Sequence, residues 1–157
     1  MEFSELIKAR HSVRNFTGQE IDREIIDDIV EDALLAPSSK NSKSTGFMII
    51  EDPSLLEALS QMRESGAGLL AGAAAAIVVL GDTSKTDLWL DNAAISATYL
   101  LLSAADKGLG ACWVHVNGRP RFKADPSQGT AEDYLRDLLG IKDNMRPLCV
   151  VALGYEA

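Results

Sequence analysis

Apolar residues recur at helical spacing in five stretches of this chain and run together in four others. Phe3, Leu6 and Ile7 share one face of a short helix at the start. From Asp22, the residues Ile25, Ile26, Ile29, Val30, Ala33 and Leu34 form an apolar stripe, with acidic residues opposite. Pro37 stops that helix, and the polar run Ser38 to Thr45 is expected to be loop. Phe47 to Ile50 reads as a short buried strand, closed by Glu51-Asp52-Pro53. A surface helix should then run from Ser54 to about Glu64 on Leu55, Leu56, Leu59 and Met62. The small apolar stretch Ser65 to Ala76 is cut by Gly66, Gly68 and Gly72 and reads as a loop or a short close-packed helix.

Ile77 to Leu80 is the second strand. Thr86 to Lys107 is the longest helix candidate, with apolar or small residues nearly all round, so it belongs in the domain centre or in a subunit interface. Gly108-Leu109-Gly110 ends it, and Ala111 to Val116 is the third strand. Asn117 to Gly129 is a long polar loop. Thr130-Ala131-Glu132-Asp133 has the form of a capping box for a helix through Leu139, and Leu148 to Leu153 is the last strand. Interspersed strands and helices without a linker predict one domain over residues 1–157, a sheet flanked by helices. No GxGxxG follows a first strand, which argues against a dinucleotide-binding Rossmann domain.

Composition narrows the function. The formal net charge of −8 disfavours sequence-independent nucleic-acid binding and anionic membrane surfaces. No apolar run is long enough to span a bilayer, and Met1-Glu2 opens no signal peptide, so the expected location is the cytoplasm. Cys112 and Cys149 match neither zinc nor CxxC spacing and read as small buried hydrophobes. Asp27, Asp28, Glu31 and Asp32 form a solvated helix face, and no metal site is expected. There is no GxSxG, which leaves serine hydrolysis without support.

Against this acidic background stands Arg10-His11-Ser12-Val13-Arg14. Two guanidinium forks with a hydroxyl and an imidazole between them suit a phosphate or another multi-oxygen anion. The same residues also read as a solvated basic turn at a helix C-terminus. Three more stretches are distinctive: Ala36-Pro37-Ser38-Ser39-Lys40-Asn41-Ser42, Gly108-Leu109-Gly110-Ala111-Cys112-Trp113-Val114 behind the small-residue helix with Asp91, and Ala152-Leu153-Gly154-Tyr155. In this order and at these separations, the four resemble the nitroreductase family of flavoproteins over essentially the whole chain.

The resemblance implies a nitroreductase-like α+β fold. Its mixed or antiparallel central sheet is surrounded by helices, one of them long and buried, and two chains interweave as a homodimer. It implies FMN at the dimer interface, with Arg10, His11, Ser12 and Arg14 on the phosphate, ribityl chain and pyrimidine edge. Pro37, Ser38, Ser39 and Asn41 would reach the flavin from the other subunit, and Cys112, Trp113, Val114 and His115 would lie beside the ring. NADH or NADPH would deliver hydride to flavin N5. Electrons would pass on to a nitro, quinone or similar small acceptor by a ping-pong mechanism, with no obligatory catalytic side chain. A flavin-binding storage or sensing protein with little turnover is the alternative.

The chain departs from the family pattern in places, among them the segment Gly66 to Ala76, which offers no polar side chains for the ring. Asn41-Ser42-Lys43-Ser44-Thr45 replaces the common Asn-x-Gln-Pro-Trp. A basic residue that many members place near the phosphate after the last strand is absent from Tyr155-Glu156-Ala157. Arg119, Arg121 and Lys123 are either its substitutes or solvating loop charges. His115 reads as a general acid or as a merely hydrogen-bonded imidazole, and Asp91-Asn92 as a capping or supporting pair.

Overall fold

The computed structural model describes residues 1–157. Helix α1 covers Phe3–Ala9 and α2 covers Arg23–Leu34; strand β1 is Thr45–Ile50 and α3 is Pro53–Leu59. Strand β2 (Ala75–Asp82), α4 (Trp89–Asp106), β3 (Gly110–His115), α5 (Ala131–Leu139) and β4 (Met145–Gly154) follow. The capping box forms as the sequence predicts: the Asp133 N–H donates to the Thr130 hydroxyl at 3.0 Å, and the Thr130 N–H donates to the Asp133 carboxylate at 3.3 Å. Helix α3 ends at Leu59, short of the predicted Glu64. There the Ser60 hydroxyl donates back to the Glu57 carbonyl, and a side chain that bonds its own backbone competes with helix propagation. The ambiguous stretch holds a 3-10 turn over Gly68–Gly72 and then enters β2.

All strand pairs are antiparallel, in the order β1-β2-β4-β3. The ladder between β2 and β4 slips at Val79/Leu80, where Leu80 faces Pro147, which has no N–H to offer. Side chains alternate between two cores, as the period-two pleat requires. Ile77, Val79, Cys149, Val151 and Leu153 meet α2 and the small residues Ala93, Ala97 and Ala104 of α4. Ala76, Val78, Val150 and Ala152 meet Leu56 and Leu59 of α3, with Ala131 and Leu135 of α5. The Ser96 hydroxyl donates to the Ala33 carbonyl at 3.0 Å, and Lys107 Nζ lies 2.7 Å from Asp32, pinning α4 to α2.

Helix α4 buries one face against the sheet, while Leu90, Ile95 and Tyr99 stand on the other, each about two-fifths exposed. Phe3 and Ile7 on α1, and Leu34 and Leu35 at the end of α2, are also bare, Leu35 to 79%. The exposed large apolar side chains thus lie on or beside α1, α2 and α4. No helix is long and apolar enough to cross a membrane.

Candidate functional site

After α1 the chain runs along the outer edge of β3. Ser12 pairs in parallel with Ala111, and the Val13 N–H donates to the Ala111 carbonyl at 2.9 Å. Val13 is buried on Gly110, where a Cβ would come within 2.8 Å of its side chain; glycine is what permits this approach. The strap then crosses the end of β4. The Thr17 N–H donates to the Tyr155 carbonyl at 2.9 Å, and the Ala157 N–H to the Asn15 carbonyl at 3.0 Å. Past Ala111 no strand pairs with this edge of β3, so it offers open backbone donors and acceptors.

The strap presents its polar side chains in two neighbouring hollows. Arg10 and His11 line one, of about 190 Å³, with Ala105 in the last turn of α4 and Gly108 just beyond it. Ser12, Arg14 and Asn15 line the other, of about 260 Å³. Val13 and Glu156 border both. Neither Arg10 nor Arg14 pairs with a carboxylate. His11 does: its Nε2 donates to Glu156 at 3.0 Å, while Nδ1 donates to the Ala9 carbonyl at 2.9 Å. Both bonds favour the imidazolium. The Ala9 carbonyl and then Glu156 raise the His11 pKa above its ordinary value. Glu156 is the member of this group that sequence reasoning missed, since 145 residues separate it from His11 and no motif ties them.

The second predicted group sits elsewhere. Pro37 and Asn41 are exposed, Ser38 and Ser39 half-buried, in a loop that enters β1 at the opposite edge of the sheet from β3. Lys40, Asn41 and Lys43 adopt φ of 50°, 53° and 49°, left-handed values that are strained for side chains with a Cβ. What holds them is Asn92 in the first turn of α4, 3% exposed. Its Oδ1 accepts from the Ser39 N–H at 3.0 Å, and its amide serves the hydroxyls of Ser39, Ser42 and Ser44 at 3.1, 3.2 and 3.0 Å. The Ser38 hydroxyl accepts from the Lys43 N–H at 3.0 Å. Asn92 therefore is a supporting residue, while Asp91 is exposed and caps nothing.

Asn92 at one end of α4 and Ala105 at the other are separated by about 20 Å of helix axis, at about 1.5 Å per residue. A single chain does not bring the Pro37–Asn41 loop to the Arg10–Arg14 strap.

The third predicted group lies on β3. Cys112 and Val114 are buried, and burial pushes the Cys112 thiol up, which leaves it inert. Trp113 and His115 are half-buried on the α4 side, ring centroids 6.2 Å apart and nearly parallel. The Trp113 indole N–H, a donor only, reaches His115 Nδ1 at 3.0 Å, so Nδ1 accepts and any ring proton sits on Nε2. Burial first, then the Arg119 and Arg63 charges, press the His115 pKa below its ordinary 6.5, so the ring is neutral at pH 7. This is a hydrogen-bonded imidazole rather than a charged acid.

Comparison with known proteins fits this geometry. The sequence profile of the Nitroreductase family matches residues 7–76 and 59–155. An Archaeoglobus fulgidus protein provisionally named NADH dehydrogenase/NAD(P)H nitroreductase is 33% identical over 159 residues, covering 98% of this chain and 85% of the relative. A Methanothermobacter thermautotrophicus protein of the same provisional name is 30% identical, covering 100% of this chain and 78% of its own. Among solved structures, an FMN-dependent nitroreductase from Clostridium difficile superposes with a TM-score of 0.91 at 35% identity, over 96% of this chain and 86% of the other.

Proposed function

The chain belongs to the nitroreductase family and is an FMN-dependent NAD(P)H oxidoreductase, and we propose that it passes electrons to a small nitro, quinone or similar acceptor by a ping-pong mechanism at a site built from two copies of the chain. The observation that carries this reading is the pair of guanidinium groups, Arg10 and Arg14, free of carboxylate partners and strapped beside the open edge of β3.

The residues present fit FMN. A phosphate dianion takes the two Arg forks and the Ser12 hydroxyl as donors, while His11 beside them keeps both ring nitrogens on the Ala9 carbonyl and Glu156. A flat ring takes the β3 edge, whose unpaired backbone groups suit its heteroatoms, beside the half-buried Trp113 and His115. FMN, when bound, supplies the hydride chemistry. The chain supplies binding and orientation, and its cations stabilise negative charge on the bound ligand. Donor and acceptor use the same ring face in turn, which predicts parallel double-reciprocal lines when both are varied.

Two features favour assembly from two copies. The Pro37–Asn41 loop lies at the far end of α4 from the strap, and the exposed apolar side chains gather on α1, α2 and α4. A second copy covers these side chains and brings its own loop to the strap. The purified protein should show a flavin absorption spectrum and scatter light as a dimer. Anaerobic NADH or NADPH should bleach the flavin within seconds. A stable monomer that retains FMN would defeat the shared site, and bound flavin that neither nicotinamide reduces would favour the storage or sensing role.

A further inference from the structure

We infer that a second anion site, formed by Arg63, Arg119, Arg121 and Lys123 at the far end of β3, takes the pyrophosphate of the nicotinamide dinucleotide; the identity of that ligand rests on the oxidoreductase reading above.

These four cations line a cleft of about 370 Å³ with Glu64, Ser65 and Pro120 and no hydrophobic side chain. Four cations brought to one cleft repel one another unless an anion answers them. The one carboxylate in the cleft does not answer it: Glu64 accepts from the backbone N–H of Lys123 at 2.5 Å and bonds neither guanidinium nor ammonium. Arg119 and the Lys123 ammonium have no side-chain partner at all. The Arg63 guanidinium makes one long bond, 3.4 Å to the His115 carbonyl.

The cleft is also preorganised. The Glu64 N–H donates to the Arg121 carbonyl at 2.9 Å, and the Ala131 N–H to the Arg119 carbonyl at 3.0 Å, so the two walls are tied together and to α5. Arg121 lies over the Tyr134 ring at 4.2 Å and donates to the Gln61 carbonyl at 3.1 Å, which fixes its plane. With no apolar wall for a base to stack on, the cleft suits phosphoryl oxygens rather than a nucleobase.

Position selects the ligand. The strap meets β3 at Ala111 and the cleft touches it at His115, about 13 Å further along at about 3.3 Å per residue. One phosphate cannot reach both. A nicotinamide ring stacked beside β3 carries its pyrophosphate one ribose away, towards whichever end the flavin phosphate does not occupy.

The probe is inorganic pyrophosphate, titrated calorimetrically into the FMN-loaded protein. It should bind, bind more weakly as salt is added, and inhibit flavin reduction competitively with the nicotinamide. Arg119→Ala and Lys123→Ala should each weaken pyrophosphate by about tenfold and raise the donor KM in parallel. Neither side chain holds another part of the fold, so both variants should fold. FMN affinity should stay unchanged in both. Weakened FMN with unchanged pyrophosphate would assign the cleft to the flavin phosphate and overturn the inference. Pyrophosphate binding that the variants leave intact, or that does not compete with the donor, would overturn it too. A wild-type flavin that no nicotinamide reduces would sink the oxidoreductase reading and the donor assignment with it; the calorimetry would still decide whether the cleft binds phosphates.

Discussion

The two ends of α4 carry two kinds of construction. At its start, the Ser38–Ser44 loop is locked from within: the buried Asn92 satisfies three hydroxyls and a backbone N–H, and three non-glycine residues are held in left-handed conformations. Beyond its end, the Arg10–Asn15 strap is held by backbone bonds and one buried valine, with His11 and Arg14 exposed and Arg10 half-buried. The loop is built for shape and the strap for charge. Strain and burial belong where a rigid surface is presented to a partner; unpaired cations belong where a ligand brings the counter-charge.

The largest effect should come from the charged end. Arg10→Ala or Arg14→Ala should weaken FMN binding by about 1.5–3 kcal/mol, the range for a charge-assisted hydrogen bond, with little change in melting temperature. Flavin fluorescence titration measures this; unchanged affinity in both variants would remove the phosphate from the strap.

Asn92→Ala tests the other end and should do the reverse. It strands the Ser39 N–H and three hydroxyls, costing about 1–3 kcal/mol of stability by chemical denaturation. FMN affinity should fall as well, through the displaced loop, although Asn92 itself touches no ligand. An effect on stability with the flavin site intact in the dimer would separate the loop from the cofactor.

Gly110→Ala asks whether the strap's position matters as much as its charge. The new Cβ would press on Val13 at 2.8 Å and lift the strap off β3, destabilising by about 1–3 kcal/mol as overpacking does. Unfolding curves measure the loss, and an FMN affinity that fell with the charges unaltered would show that the strap must be seated.

The smallest effects are those of pH, and the chain's two histidines carry opposite signs. His11, raised by the Ala9 carbonyl and Glu156, adds stability below its ordinary pKa and loses it as pH rises through the shifted value, above 6.5. His115, lowered by burial and by Arg119 and Arg63, costs stability as pH falls below 6.5, because only the unfolded chain then takes up the proton freely. Two imidazole titrations by NMR should straddle 6.5, His11 above and His115 below. Glu156→Gln should bring His11 back down and, by removing a negative charge from both hollows, tighten FMN a few-fold.

Much of this molecule is legible in its sequence. Period-two and period-3.6 patterns are local, so the four strands, the long helix and the capping box at Thr130 could be read directly. The arginine pair at Arg10 and Arg14 was legible for the same reason, as neighbours in one short motif. The ends of elements are less legible: α3 stops at Leu59, where the Ser60 hydroxyl bonds back to the Glu57 carbonyl.

Tertiary structure decided what depends on residues far apart in the chain. It placed Glu156 against His11, made Asn92, a capping or supporting residue by sequence, the anchor of a strained loop, and set the two halves of the proposed flavin site at opposite ends of α4. It also drew Arg63 to Arg119, Arg121 and Lys123, making a cleft out of what reads in sequence as scattered loop charge. Periodicity and motif report which face a residue turns inward, because neighbouring side chains share one backbone geometry. Which distant residue meets it there depends on strand order and helix packing, and no local pattern carries that information.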